Sequence, residues 1–599
     1  MLRSFTVAAL ALALAPLAAT QSTWYVDDDN SPGPGSGTPD DPFCRIQSAI
    51  EAAAEGDTVL VLPGTYVETI NYLNKEIMVR SRDGAAVTKI DANATGPVVW
   101  VDLPEEKSPV LDGFTVTNGI TLQPEHDGAG IFWRGGGAIT NNIVRLNRDT
   151  GNGLAGGICC RGPVLVEGNV ITENESYRST AGLHGRGAVI RNNKITNNSA
   201  ENGTGGVSCS EGIVERNVVT LNRTTVGPGG VACSNATLTG NVIMANSTEG
   251  NISPAGALFD GSGSITDNVI ARNENLGNGI GGISVSPNAS VTIARNIICG
   301  NVGRGIWCWG TDSVTITSSV IASNTSTCQG GGVCCQECAP LIDGNAIIAN
   351  WSDSGGGGIA SVGSTVGASP TVRNTILWEN DSPRGKEIWV WASSSLSIAY
   401  SDVRGGEDSV RVEEGGTLEW GPGMIDADPL FADPSRDDYR VQRGSPCIDA
   451  GDPDSQPCAE TDLDGVPRLL DGLLDRTMRI DMGAYEFDNV HLAVAGRARP
   501  GETLTFTTSG TPGLLVWLLA GTQTGATCWQ PFGTLFFDLA HPWWLLFWGG
   551  IPAPGSYDVF VTIPPDIEPP LTLTLQELAL DLGNGAGNLS NATLFALEP

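Results

Sequence analysis

The sequence is short of the residues that most enzymes use for acid–base chemistry. Of 599 residues, 4 are His, 17% are charged and 6% are aromatic, which excludes a histidine-rich catalytic or metal centre. Cationic side chains are scarce as well: 33 Lys and Arg face 66 Asp and Glu, a formal net charge of −33. Such a surface repels nucleic acid and anionic lipid, so neither is an expected partner, while cations are attracted. Long apolar runs are missing beyond the N-terminus. There Arg3 precedes "FTVAALALALAPLAA", and Ala18, Ala19 and Thr20 follow, the arrangement of an export leader over residues 1–20. That run is short for a bilayer span, and "HPWWLLFWGG" at 541–550 is shorter still, so no transmembrane segment is expected in the mature chain. An exported protein, secreted or associated with the cell surface, is the expectation.

What the chain has in quantity is glycine, 78 residues, and a recurring asparagine. Asn142, Asn169, Asn193, Asn217, Asn241, Asn268, Asn296, Asn345 and Asn374 return at spacings of 23 to 29 residues, with Ser319 filling one gap. Five residues later a second asparagine follows most of them: Asn147, Asn174, Asn198, Asn222, Asn246, Asn273, Asn301 and Asn350. Before each comes a small-residue pair leading into an apolar position, as in "GGV" at 205–207 and 229–231. The β-type runs between these marks are too short for a helix. The period therefore predicts an all-β chain, a right-handed parallel β-helix of about a dozen coils, with equivalent residues stacked about 4.8 Å apart. Asparagines stacked at a bend form an amide ladder and tolerate left-handed backbone, so they read as scaffold.

Ahead of the repeats, Ile46, Ala49, Ile50 and Ala53 fall at helical spacing and Gly56 supplies a stop, which predicts a helix capping the first coil within residues 21–57. The solenoid is expected over 58–445 and an acidic closing segment over 446–488. From 490 to 599, "ETLTFTT", "SYDVFVTI" and "LTLTL" alternate between Gly/Pro turns, as the strands of a β-sandwich-like domain do, with "HPWWLLFWGG" as core strand or exposed patch.

"WYVDDDNSPGPGSGTPDDPFCRIQSAIEAAAEGDTVLVLPGTYVE" resembles the N-terminus of exported bacterial right-handed parallel β-helix proteins of the pectate-lyase-like superfamily. "NTILWEN", "DADPLFADP", "YRVQRGSPCIDAGDP" and "DLDGVPRLLDG…RIDMGAYEF" resemble the closing segment of the same group, whose members carry variable C-terminal anchor modules. The resemblance implies the fold and leaves activity open, because many such proteins have no assigned reaction.

For catalysis, Glu173, Glu175, Arg178, His184 and Arg186 form the densest charged cluster, in the bend between two coils. Their spacing matches no lyase or hydrolase pattern. Glu167, Arg191 and Glu215 alternate in sign down one column, as a solvated ionic ladder does. Glu460, Asp462, Asp464, Gly465 and Asp471 have the one-three-five, glycine, twelve spacing of a Ca²⁺ loop, and a plain acidic loop has the same composition. Cys447 and Cys458 flank a short loop and are the expected disulfide. Cys209 with Cys233 and Cys308 with Cys335 stack in adjacent coils, as disulfides or as packed thiols. The regular coils favour a monomeric, non-catalytic protein that binds polysaccharide or another surface or envelope component, with Ca²⁺ the sole cofactor in view. The alternative is a polysaccharide lyase or glycoside hydrolase acting on an acidic polysaccharide.

Overall fold

The computed structural model describes residues 21–488, except 31–32, 123–126, 152, 251, 278, 364–365 and 474–476; beyond 489 it describes chiefly strands. The leader expected over 1–20 lies outside the described residues. Three long parallel sheets of 16, 14 and 14 strands run the length of a solenoid, and a shorter parallel sheet of six strands lines one bend. Each coil crosses them in order; residues 158–176, for example, supply Ile158–Arg161, Val164–Glu167, Val170–Thr172 and Glu175–Ser176. We call these faces I, II, III and the fourth bend.

The inward positions follow from strand alternation. Ile139, Val166, Ile190, Val214 and Leu238 stack on face II, and Val144, Ile171, Ile195, Val219 and Ile243 on face III; all are buried. The small pairs before face I are needed because backbones approach closely there. A Cβ at Gly206 would sit 2.4 Å from the Gly230 carbonyl oxygen.

Both asparagine columns are ladders. Asn193 donates from N and Nδ2 to Asn217 Oδ1 at 2.9 and 3.0 Å, and from Nδ2 also to the Val166 carbonyl at 2.8 Å. These contacts repeat from coil to coil, so each buried amide is satisfied. The left-handed residue is the one just before the ladder asparagine, such as Asn192, Arg216 and Leu221, and not the asparagine itself. That rule corrects one assignment. Asn374 is the left-handed residue, and Thr375 takes the ladder position, its Oγ1 accepting from Asn345 N at 3.3 Å. Asn324 and Asn380 complete the second ladder, which ends on a carboxylate: Asn380 Nδ2 donates to Glu387 Oε2 at 2.6 Å.

The cap helix is Ile46–Ala52, with Ile46, Ala49 and Ile50 buried on the first coil and Gly56 left-handed after it. The strand Thr23–Val26 pairs with Thr58–Val61, so the first strand of face II comes from the segment expected to be cap alone. At the other end, the last strand stacked in these sheets is Thr417–Trp420; the antiparallel pair Phe431–Asp433 and Asp438–Val441, expected within the solenoid, lies with the closing segment on the outside of face III. Tyr439, Ala484 and Tyr485 pack on Val320, Ala322, Ala346 and Ile348. Those strands are apolar on both sides, unlike the alternating "VIT" and "KIT" of earlier coils, because both sides are covered. Beyond 489 the strands pair antiparallel throughout, and Trp543–Gly550 is one of them; its side chains lie outside the described residues.

Candidate functional site

Coil length shapes the fourth bend. Seven residues separate Asn174, Asn198 and Asn222 from Ala181, Gly205 and Gly229, against nine from Asn147 to Gly156 and from Asn246 to Ala255. Three short bends thus lie between two longer ones. They floor a trough of about 680 Å³ that runs along the rod axis.

The trough is polar. The stacked positions Arg148, Glu175, Ser199, Arg223 and Ser247 face outward in register. Asp149, Ser176, Ala200, Thr224 and Thr248 stack beside them, largely buried. Glu201, Glu249 and Tyr177 complete the walls. Asp149 is held in place: its Oδ1 accepts from Thr121 Oγ1 at 2.7 Å and its Oδ2 from Ser176 Oγ at 2.8 Å. Arg148 and Glu175 pair at 3.6 Å, and Arg223 Nε donates to Ser199 Oγ at 2.9 Å. Hydroxyls, two guanidinium groups, several carboxylates and one aromatic ring line the trough. That is the chemistry of a hydroxyl-rich chain molecule.

The five expected catalytic residues do not converge. Glu175 lines the trough, whereas Glu173 pairs with Arg145 at 2.7 Å on its own bend. Arg178 lies 5.7 Å from the Tyr177 ring centroid. His184 and Arg186 belong to face I, on Leu183–Arg186. Burial, with the Arg161 charge adding to it, pushes His184 down to about 4, so the imidazole is neutral; Arg186 pairs with Glu211 at 3.3 Å. The turn of the coil carries them to different faces, Glu173 and Glu175 at the fourth bend and His184 and Arg186 outward on face I, which contiguous sequence does not reveal. The expected ionic ladder is present, with Arg191 bonded to Glu167 at 2.9 Å and 4.0 Å from Glu215.

The acidic side chains of the closing segment turn to partners within the chain. Asp462 is buried, its Oδ1 accepting from the Asp464 and Val466 N–H groups and its Oδ2 from Glu486 N. Asp464 pairs with Arg440, Glu460 is exposed, and Asp471 is buried apart. Among the described residues, no three His, Cys, Asp or Glu side chains are placed to share a metal ion. Burial instead raises Asp462 and Asp481 to about 7 and Glu486 upward; Arg468, 3.0 Å from Glu486, offsets this in part.

No disulfide joins the expected cysteines. Cys447 is buried and its Sγ donates to Asp402 Oδ2 at 3.3 Å, while Cys458 is exposed and accepts from Arg373 Nη2 at 3.7 Å. Cys209 stacks on Cys233 and Cys308 on Cys335 in register, as expected, yet as thiols. Parallel, in-register side chains keep Cβ atoms about one strand spacing apart, roughly 4.8 Å, wider than the ~3.8 Å of a disulfide. These thiols fill the same inward column as Trp133, Phe259 and Val285.

One feature of face I was legible in "GIWCWG" and missed: with Ile306 and Cys308 inward, alternation turns Trp307 and Trp309 outward.

Residues 110–321 match the family model of the right handed beta helix region. No curated protein matches the chain in sequence. Among solved structures, the chain is similar to pectate lyase Pel9A at 14% identity, over 78% of this chain and 97% of that one, with a TM-score of 0.34. It is also similar to XylC in complex with xylose (9%, 90% and 100%, 0.33). A third is the A-module of the Azotobacter vinelandii mannuronan C-5 epimerase AlgE4 (16%, 67% and 100%, 0.23). The three long parallel sheets and the match over 110–321 together make this chain a right-handed parallel β-helix protein.

Proposed function

We propose that the protein is an exported, non-catalytic polysaccharide-binding protein of the cell surface or envelope, which lays a glycan chain along the trough of the fourth bend. The observation that carries this is the trough itself, over three short bends between two longer ones, with Arg148, Glu175, Ser199, Arg223 and Ser247 presented at strand spacing along one line. A trough parallel to the rod axis suits an extended polymer better than a compact metabolite. The scattering of Glu173, Arg178, His184 and Arg186 over separate surfaces favours retention of the polymer over its cleavage.

The test is retention of the purified full chain on immobilised neutral and acidic polysaccharides, with Ca²⁺ or with EDTA, alongside assays for unsaturated uronate and new reducing ends. Retention without turnover, weakened by Arg223→Ala or Tyr177→Ala, is the expected result. Turnover would replace this reading with that of a lyase or hydrolase, and absence of all retention would overturn it.

A further inference from the structure

On face I the outward residues change character along the rod. Ser208 and Ala232 occupy the middle column in the regular coils, Leu258 and Ser284 follow, and then comes Trp307, with Trp309 two residues on. The two indole rings are parallel to within 7°, with centroids 5.8 Å apart. Both are tethered. Trp307 Nε1 donates to Gln336 Oε1 at 3.2 Å, and the Arg304 guanidinium lies 5.6 Å from the Trp307 ring centroid. Trp309 Nε1 reaches Glu337 Oε2 at 3.5 Å, and the residue keeps 40% of its surface exposed. Beside them runs a groove of about 620 Å³ with an apolar floor that includes Leu258 and Pro287 and a polar edge of Ser253, Ser284, Ser286 and Gln336.

Resting on the polysaccharide-binding reading above, we infer that this groove is a second glycan subsite, selective for a neutral pyranose. A pyranose ring has an apolar face of C–H bonds and a rim of hydroxyls. Trp309, stacked on Trp307, offers the outer face of its indole as a flat apolar surface, and the serines and Gln336 offer partners at its edge. Because Trp307 is already held by Gln336 and Arg304, and Trp309 by its stacking on Trp307 and by Glu337, binding orders little.

Charge selects the neutral sugar. Arg304 is the cation of this groove, and its Nε already donates to the Gln329 carbonyl at 2.8 Å while its face covers Trp307. Its Nη2 donates to Gln329 Oε1 at 3.3 Å as well, so most of the guanidinium is committed within the chain, and Glu337 beside Trp309 repels a uronate or sulfate at the aromatic end of the groove. Size argues against a protein occupant: the groove has the volume of a small-ligand site, whereas a protein partner covers about 800 Å² of each surface. The groove also continues the trough. Ser247 and Glu249 wall the trough, and Ile252, Ser253 and Pro254 of the same bend rim the aromatic groove. A chain leaving the polar trough over this bend arrives at the indoles.

The test compares the full chain with Trp309→Ala, Trp309→Phe and Arg223→Ala variants, titrated with cellohexaose, mannohexaose and hexagalacturonate by calorimetry and tryptophan fluorescence. Trp309 is a partly exposed outward residue, so its variants are expected to keep the parent melting temperature. The expected result is binding of a neutral hexasaccharide that Trp309→Ala weakens about tenfold and Trp309→Phe about twofold or less, with ligand shielding Trp309 from acrylamide quenching. Neutral binding unchanged in Trp309→Ala, or lost only in Arg223→Ala, overturns the subsite and leaves the polysaccharide reading standing. Equal weakening of hexagalacturonate by Trp309→Ala overturns the selectivity. Failure of all three probes to bind, joined with failed retention on polymers, overturns both.

Discussion

Two regions of this protein bury polar side chains, and they do so by opposite means. The coils from 142 to 301 bury neutral amides, each bonded to the next coil and to backbone carbonyls, in ladders that repeat without variation. The closing segment, 446–488, buries carboxylates. Asp449, Asp462, Asp481 and Glu486 accept backbone N–H groups of an irregular chain, with Arg468 among them. A repeating backbone can be satisfied by one repeated neutral group. An irregular one needs acceptors at several angles, and a carboxylate supplies two oxygens with several lone pairs. The cost is a dependence on pH and on one cation, which the amide ladders do not share.

The largest effect that would expose this contrast is expected from Arg468→Met. It leaves Glu486 buried without its ion-pair partner and should destabilise the closing segment by about 3–5 kcal/mol. Hydrogen exchange should show faster opening over 446–488 and unchanged protection over 190–250. Uniform loss of protection would mean that the two regions unfold as one unit.

Next comes Asn217→Ala. It strips the acceptor from the buried Asn193 N–H and the donor from the Ile190 carbonyl, while Asn193 Nδ2 keeps the Val166 and Arg191 carbonyls, so a loss of about 3 kcal/mol is expected. Asn217→Ser should recover part of it, since Ser319 does this job in its own coil, accepting from Asn296 N at 3.1 Å. A denaturation midpoint no lower than that of Lys194→Ala, a change at an exposed strand position of the preceding coil, would refute the ladder as a source of stability.

A smaller effect is set by pH. Asp462 and Asp481 are raised by burial to about 7 in the folded chain, and Glu387, at the end of the second ladder, to about 8. A carboxylate whose folded value is raised contributes stability fully below its unfolded value, near 4, and loses it as pH rises through the folded one. The closing segment should therefore open more readily at pH 8 than at pH 5. The amides of 193–246, once corrected for intrinsic exchange, should respond little to pH. The reverse order would show that these carboxylates are charged in the fold.

The smallest expected effect is none. Because Cys209, Cys233, Cys308 and Cys335 stack as thiols, a reductant should leave the melting temperature unchanged. A drop of several degrees would reveal cross-links between coils.

Much of the coil was legible because the ladder asparagines, the small-residue pairs and the inward apolar residues recur at fixed offsets. The offset also explains the one slip in the first column. Counting from Asn374 puts Glu379 at the fifth place, whereas counting from Thr375 reaches Asn380, which does continue the second ladder. The apolar run in "NAIIAN" and "NTILWEN" carried a further signal, two-sided burial, that pointed to a cover on face III. The carboxylates at 460–471 were less legible, for a different reason. Spacing alone does not say whether a carboxylate faces an ion or a backbone N–H, and Asp462 faces three of the latter.

The sequence by itself determined the coil: its period, its inward column of Ile, Val and Cys, its amide ladders and its capping helix. Each of these depends on neighbours one turn away, and a repeating chain writes that relation out many times. Only the tertiary structure decided which surfaces come together. The trough over short bends between longer ones, the pair of indoles beside Pro254, and the closing segment folded back on coils some hundred residues earlier join positions that share no period. Those contacts are made once, so no recurrence in the sequence announces them.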